Sequence, residues 1–126
     1  MSVQKLIDEF VPYGLQSDFF TDVVRFEAVS SNMPKMVFVA ALWSGQSQLA
    51  FRALCSALNR FLPTHFHVLV LDTDIPIPSP YNDWMKSNTG KGEVALVGKH
   101  GEYSTLLGDD LNSFESGVDE FLAHFK

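Results

Sequence analysis

The stretch MVFVAALWSGQSQLAFRALCSALNRFL, residues Met36 to Leu62, decides the fold. Its first part is an unbroken apolar run from Met36 to Trp43. Such a run, without polar alternation, predicts a strand over Met36 to Leu42 covered on both faces and therefore central in a sheet flanked by helices. Ser44-Gly45-Gln46-Ser47 then forms a polar turn. Beyond it Phe51, Leu54, Cys55, Leu58, Phe61 and Leu62 recur at helical spacing, opposite Gln48, Arg52, Ser56, Asn59 and Arg60. Pro63 stops the helix. A buried strand that feeds a helix N-terminus through a tight loop is where α/β proteins commonly place their chemistry.

Working outward, Val3, Leu6, Ile7, Phe10 and Val11 predict an amphipathic helix that ends at Pro12 and Gly14. Residues 17–29 carry two patterns. Ser17 could cap a helix with Phe19, Phe20, Val23 and Val24, and Asp22 to Val29 alternates like an edge strand. The reading adopted is helix over 18–25 and strand over 26–29, followed by a loop at Ser30-Ser31-Asn32-Met33-Pro34. His67 to Leu71 predicts a second interior strand, parallel to the first, with Asp72-Thr73-Asp74 at its exit. Three prolines at 76, 78 and 80 exclude a central strand or helix interior. A short helix is expected over Tyr81 to Ser87, with Pro80 in its first position, and a turn over Asn88-Thr89-Gly90-Lys91-Gly92. Glu93 to Gly98 and Glu102 to Leu107, joined by Lys99-His100-Gly101, predict a β-hairpin. Asn112 and Glu115 have capping-box spacing ahead of a helix with Phe114, Val118, Phe121, Leu122 and Phe125 on one stripe.

A chain of 126 residues is expected to form one domain, with residues 1–16 as an N-terminal helical extension. Its apolar fraction of 46% and charged fraction of 19% are those of a globular protein, and eleven Phe residues supply large core pieces. A net charge of −6, with no run of Lys and Arg, argues against a nucleic-acid partner. The longest apolar run falls far short of the roughly 20 residues of a membrane helix, so no membrane partner is expected. No basic segment leads into an apolar stretch at the N-terminus, and the expected location is the cytoplasm. Cys55 is the only cysteine, which leaves no internal disulfide and no thiolate cluster.

From Met36 onward the order is strand, helix, strand, short helix, hairpin, helix. With Trp43-Ser44-Gly45-Gln46-Ser47 at the head of the first helix, this resembles the thioredoxin family, whose motif there is Trp-Cys-Gly-Pro-Cys. The resemblance covers roughly residues 17–126 and implies an α/β fold with a central mixed sheet of four to five strands flanked by helices. Trp43 and Gly45 match the motif letters, Val68 to Asp74 resembles the family's next strand with its acidic exit, and Lys99-His100-Gly101 resembles its hairpin turn. The departures concern the chemistry. Both motif cysteines are serines, Ser44 and Ser47. The family's buried carboxylate falls on Phe38, and its cis-proline falls on Glu93, whose preceding peptide bond should be trans. A thiolate is accessible because a helix N-terminus can bring a pKa near 8.5 toward neutrality; a hydroxyl is beyond that reach. Dithiol exchange is therefore excluded, and relatives of this kind act as chaperones, assembly factors and adaptors.

The resemblance makes Trp43, Ser44, Gly45, Gln46, Ser47, Trp84 and Glu93 a candidate binding face for a protein or peptide, without cofactor, metal or catalytic residue. Tyr81, Met85 and the loop at Gly90 would complete an exposed apolar patch, or Trp84 would simply cover the sheet. The alternative is a ligand-binding protein or enzyme that holds an anion or thiol at Ser44 or Ser47. Helix capping accounts for the same serines, and a serine nucleophile needs a base that His65, His67, His100 and His124 do not obviously supply. Cys55 lies within an apolar stripe and reads as structural. Asp72, Asp74 and Asp83 lack the Gly and Glu that complete a calcium loop, and His65 with His67 lacks a third ligand. Gly90-Lys91-Gly92 lacks the strand and helix that frame a phosphate loop. A third possibility is another small α/β fold, such as flavodoxin-like, that binds an anion at the same helix start.

Overall fold

The computed structural model describes residues 1–29, 32–62, 65–85 and 90–125. The chain is α/β, with a five-stranded mixed sheet between two layers of helix. In order, the elements are α1 (Val3–Phe10), a 3₁₀ turn (Tyr13–Asp18), β1 (Phe19–Phe20), α2 (Val23–Glu27), β2 (Lys35–Ala40) and α3 (Gly45–Phe61). β3 (His67–Asp72), α4 (Tyr81–Trp84), β4 (Glu93–Val97), β5 (Tyr103–Leu107) and α5 (Leu111–His124) follow. The strand order is β1-β3-β2-β4-β5. β1, β3 and β2 run parallel, and β4 and β5 are antiparallel additions to the β2 edge.

The continuous apolar run of β2 follows from its place in this order. Successive side chains of a strand point to opposite faces. Met36, Phe38 and Ala40 enter one core with residues of α1, α3 and α5, whereas Val37 and Val39 enter a second core with α2 and α4. Met36 to Ala40 are all buried and all apolar, as a strand covered on both faces requires. The larger core is organised by edge-to-face rings: Phe38 lies 5.2 Å from Phe51 and 6.5 Å from Phe114, and Phe19 lies 5.9 Å from Phe51. Leu6, Ile7, Val11 and Leu15 also belong to it, so the N-terminal helix is packed into the body of the molecule.

Several sequence expectations are corrected. The helix over 18–25 and the strand over 26–29 exchange places: the strand is Phe19–Phe20, and the helix is Val23–Glu27. Asp22 decides this, because its carboxylate accepts the Val24 N–H at 2.9 Å and caps a helix that starts there. The capping box at Asn112 and Glu115 is replaced by Asp110, which accepts the N–H groups of Asn112 and Ser113. β2 ends at Ala40 rather than Leu42, because Ala41 and Leu42 lead into the turn at Ser44. Leu62 is an exposed C-cap and is not on the core stripe of α3. α4 ends at Trp84, with Pro80 at its cap rather than inside it. Ser30, Ser31, Pro63 and residues 86–89 lie outside the described residues. No helix among those described is long and apolar enough to cross a membrane.

Candidate functional site

The turn between β2 and α3 is held from both sides. The Ser44 N–H donates to the Ala41 carbonyl at 2.9 Å, which closes the turn, and the Ser44 Oγ accepts the Ser47 N–H at 3.3 Å as N-cap of α3. The same hydroxyl donates to the Gly90 carbonyl, fastening the helix start to the loop before β4. Ser47 is 1% exposed, and its Oγ accepts the Ala41 N–H at 2.9 Å. Every hydrogen bond of these two hydroxyls among the described residues therefore runs to backbone. A nucleophilic serine needs a base on its oxygen, and none of the described residues supplies one there.

Gln46 and Gln48 continue the fastening. Gln46 Nε2 donates to the Gly108 carbonyl at 2.5 Å, and Gln48 Nε2 to the Leu42 carbonyl at 3.4 Å. Gly108 in turn donates its N–H to the Gly92 carbonyl at 2.8 Å. A Cβ at Gly92 would lie 3.0 Å from Phe38, 3.1 Å from Ala50 and 3.3 Å from the Ser47 backbone. The loops on either side of the hairpin are thus clamped against the first turns of α3.

Trp43 is the exception to this closure. It is 66% exposed, and its indole edge rests on Gly90, where an added Cβ would lie 2.8 Å from the ring. A large ring is thus held against backbone and left facing solvent. Gly45 is exposed, and one helical turn on from it so is Leu49. Ile75, 60% exposed, lies beyond the end of β3, tied back by the Ile75 N–H to the Asp72 carbonyl. Trp43 follows the C-terminal end of β2, the end at which α/β sheets bind ligands, whereas Ile75, after β3, lines a separate cleft with Val3 and Thr21. The sequence reading found Trp43 but not Leu49. Leu49 interrupts the polar face of α3, and that interruption was the available signal.

The other predicted members are elsewhere. Trp84 is half-buried, stacked on Tyr103 of β5 at 4.4 Å and edge-on to Tyr81 at 5.3 Å. Tyr81 and Met85 are buried in the smaller core, so they do not extend an exposed patch. The Tyr81 hydroxyl donates to Glu27 at 3.0 Å. Burial, followed by this bond and the charge of Glu27, raises the phenol's pKa above its ordinary value. Glu93 is 3% exposed at the start of β4, opposite Val39 and Leu107, and its face is that of Ala95 and the smaller core. Among the described residues Ser79–Pro80 is the one cis peptide bond, so the bond before Glu93 is trans.

Burial pushes the Cys55 thiol up to about 12, which leaves no thiolate at neutral pH. Asp72 accepts the Asp74 N–H at 2.9 Å in a local turn, and among the described residues no cluster of three His, Cys, Asp or Glu side chains could hold a metal. His100 and His124 line a groove of about 410 Å³ with Leu96, Lys99, Phe121 and Phe125, at the opposite end of β4 from Glu93. No known protein-family model and no curated protein sequence matches the chain.

Proposed function

We propose that the chain is a redox-inactive, thioredoxin-like interaction module that binds a protein or peptide on the face bearing Trp43, Gly45 and Leu49. The order of elements expected from the family resemblance recurs from β2 to α5, which supports the fold half of the reading. The observation that carries the functional half is Trp43 itself. A tryptophan two-thirds exposed, braced on Gly90 beside two serines committed to backbone, costs little entropy to dock and has no chemistry beside it. Tryptophan anchors of this kind dominate binding energy at interfaces. The second reading, an anion or thiol held by Ser44 or Ser47, has less support, because both hydroxyls are already occupied by backbone partners.

The test is affinity capture from lysate of the producing cells with the native chain, Trp43→Ala and Val24→Ala in parallel. Val24 is exposed on α2 and serves as the control. Specific partners should fall at least about tenfold with Trp43→Ala and persist with Val24→Ala. Identical partners on all three baits would defeat the reading. Reduction of insulin disulfides by the chain should stay at the buffer rate.

A further inference from the structure

The groove of about 410 Å³ between the hairpin and the last turns of α5 lies at the Lys35 end of the sheet, remote from Trp43. It arises from a loss of bulk along one face of the hairpin. Gly117 lets α5 close on Leu106, so that an added Cβ would lie 2.6 Å from a Leu106 methyl. Toward the turn the same face carries Ser104, opposite Leu96, and then Gly98. These small residues stand across from Phe121 and Phe125, and the space between them is not filled. Leu96 is buried at the base, and the half-buried rings of Phe121 and Phe125 lie edge-to-face at 5.7 Å. Such a volume, mostly apolar with a few polar groups, is that of a small-molecule site.

Two opposite charges border this groove without meeting. Lys99 and Glu102 both line it and are exposed, yet neither forms an ion pair among the described residues. The Lys99 ammonium lies over the Phe125 ring at 5.6 Å. Glu102 Oε2 accepts the His100 N–H at 3.1 Å, and its other oxygen has no hydrogen bond among the described residues. The Gly98 N–H donates to the Glu102 carbonyl at 2.8 Å, so both side chains leave one short closed turn. The α5 C-terminus, with about half a negative charge, ends beside the same groove at His124.

We infer that the groove binds a small aromatic zwitterion, in chemistry an aromatic α-amino acid. Its ring lies on Leu96, Phe121 and Phe125, its carboxylate faces Lys99, and its ammonium faces Glu102 and the end of α5. Charge complementarity selects this occupant. A monoanion leaves Glu102 unanswered, a monocation leaves Lys99, and an uncharged ring leaves both. The inference does not depend on what the Trp43 face binds.

Amide NMR titration of the full chain with L-phenylalanine tests this. Signals of Gly98, Ser104 and Phe121 should shift and those of Gly45 and Leu49 should stay, with a Kd of about 1 mM for a ligand of about twelve non-hydrogen atoms. Hydrocinnamate, which lacks the ammonium, and phenethylamine, which lacks the carboxylate, should each bind at least about fivefold more weakly. Lys99→Gln should weaken L-phenylalanine and hydrocinnamate and leave phenethylamine unchanged. Glu102→Gln keeps an acceptor for the His100 N–H; it should weaken L-phenylalanine and phenethylamine and leave hydrocinnamate unchanged. Ser104→Phe fills the groove and should abolish binding of all three, and if it unfolds the two charge variants decide. Four results would each overturn the inference: no shift in the groove at about 10 mM ligand, either singly charged analogue binding as tightly as L-phenylalanine, equal losses of all three ligands in Lys99→Gln, or shifts centred on Trp43.

Discussion

Replacing Gly92 by alanine tests whether the clamp around the Trp43 turn is as tight as its distances say. Gly92 has φ +80, and a Cβ there would meet Phe38, Ala50 and the Ser47 backbone at 3.0–3.3 Å. Two of these neighbours are fully buried, and the third is backbone fixed by the cap of α3, so none can retreat cheaply. The left-handed backbone costs an alanine about 1–2 kcal/mol, and forcing a methyl into a filled site costs about 1–3 kcal/mol more. The stiffer unfolded chain returns about 0.4–1 kcal/mol. The net destabilisation is about 1–4.5 kcal/mol, centred near 3 kcal/mol. Gly101 supplies the internal reference, because its φ is +83 and nothing lies within 4 Å of its added Cβ. Gly101→Ala should therefore lose only about 1 kcal/mol, the backbone part alone. Urea unfolding followed by circular dichroism separates the two, and with slopes of about 1–3 kcal/mol/M the midpoint of Gly92→Ala should fall by about 1–2 M. If the two variants unfold within about 0.5 kcal/mol of each other, the packing contribution is absent and the clamp is looser than described.

Two further outcomes concern pH. His67 has a pKa lowered chiefly by burial, and its buried Nδ1 has no hydrogen-bond partner among the described residues. Asp18 opposes that shift, and Lys35 and His65 reinforce it. The unfolded chain then binds the proton more readily than the folded one, so this residue's contribution is present above about pH 6.5 and is lost as pH falls. Thermal midpoints measured from pH 7 to 5 should decline less steeply in His67→Leu than in the native chain. Tyr81 has the opposite sense: its phenol pKa is raised, so its contribution is present below about pH 10 and is lost as pH rises. Tyr81→Phe should cost about 0.5–1.5 kcal/mol at pH 7 through the lost bond to Glu27, and its alkaline unfolding limb should be shallower.

How much was legible in the sequence depended on whether a segment's fate is local. β2, α3 and β3 were readable because a run buried on both faces and a helical stripe ended by Pro63 admit few alternatives. Residues 17–29 were not, because two phenylalanines side by side fit either period. The deciding contacts are distant: Phe19 against Phe51 and Phe66 on one face of the sheet, and Phe20 against Phe26 and His67 on the other. A strand of two residues bonded only to β3 leaves almost no periodic trace. Asp110 rather than Asn112 begins α5 because a carboxylate two residues earlier reaches two N–H groups at once. At the candidate site, Trp43 and the serine pair were visible as a motif. The separation of Trp84 from Trp43 was not, since stacking on Tyr103 depends on where the hairpin lies.

Photocrosslinking from α3 tests the central claim, recognition on the Trp43 face without chemistry, most directly. A benzophenone side chain in place of Leu49 is introduced in the producing cells, with one in place of Ser116 on α5 as comparison. The Leu49 position should yield discrete protein adducts that disappear when Trp43→Ala is added, and the Ser116 position should yield none of them. Adducts that are the same from both positions, or that survive Trp43→Ala, would contradict it.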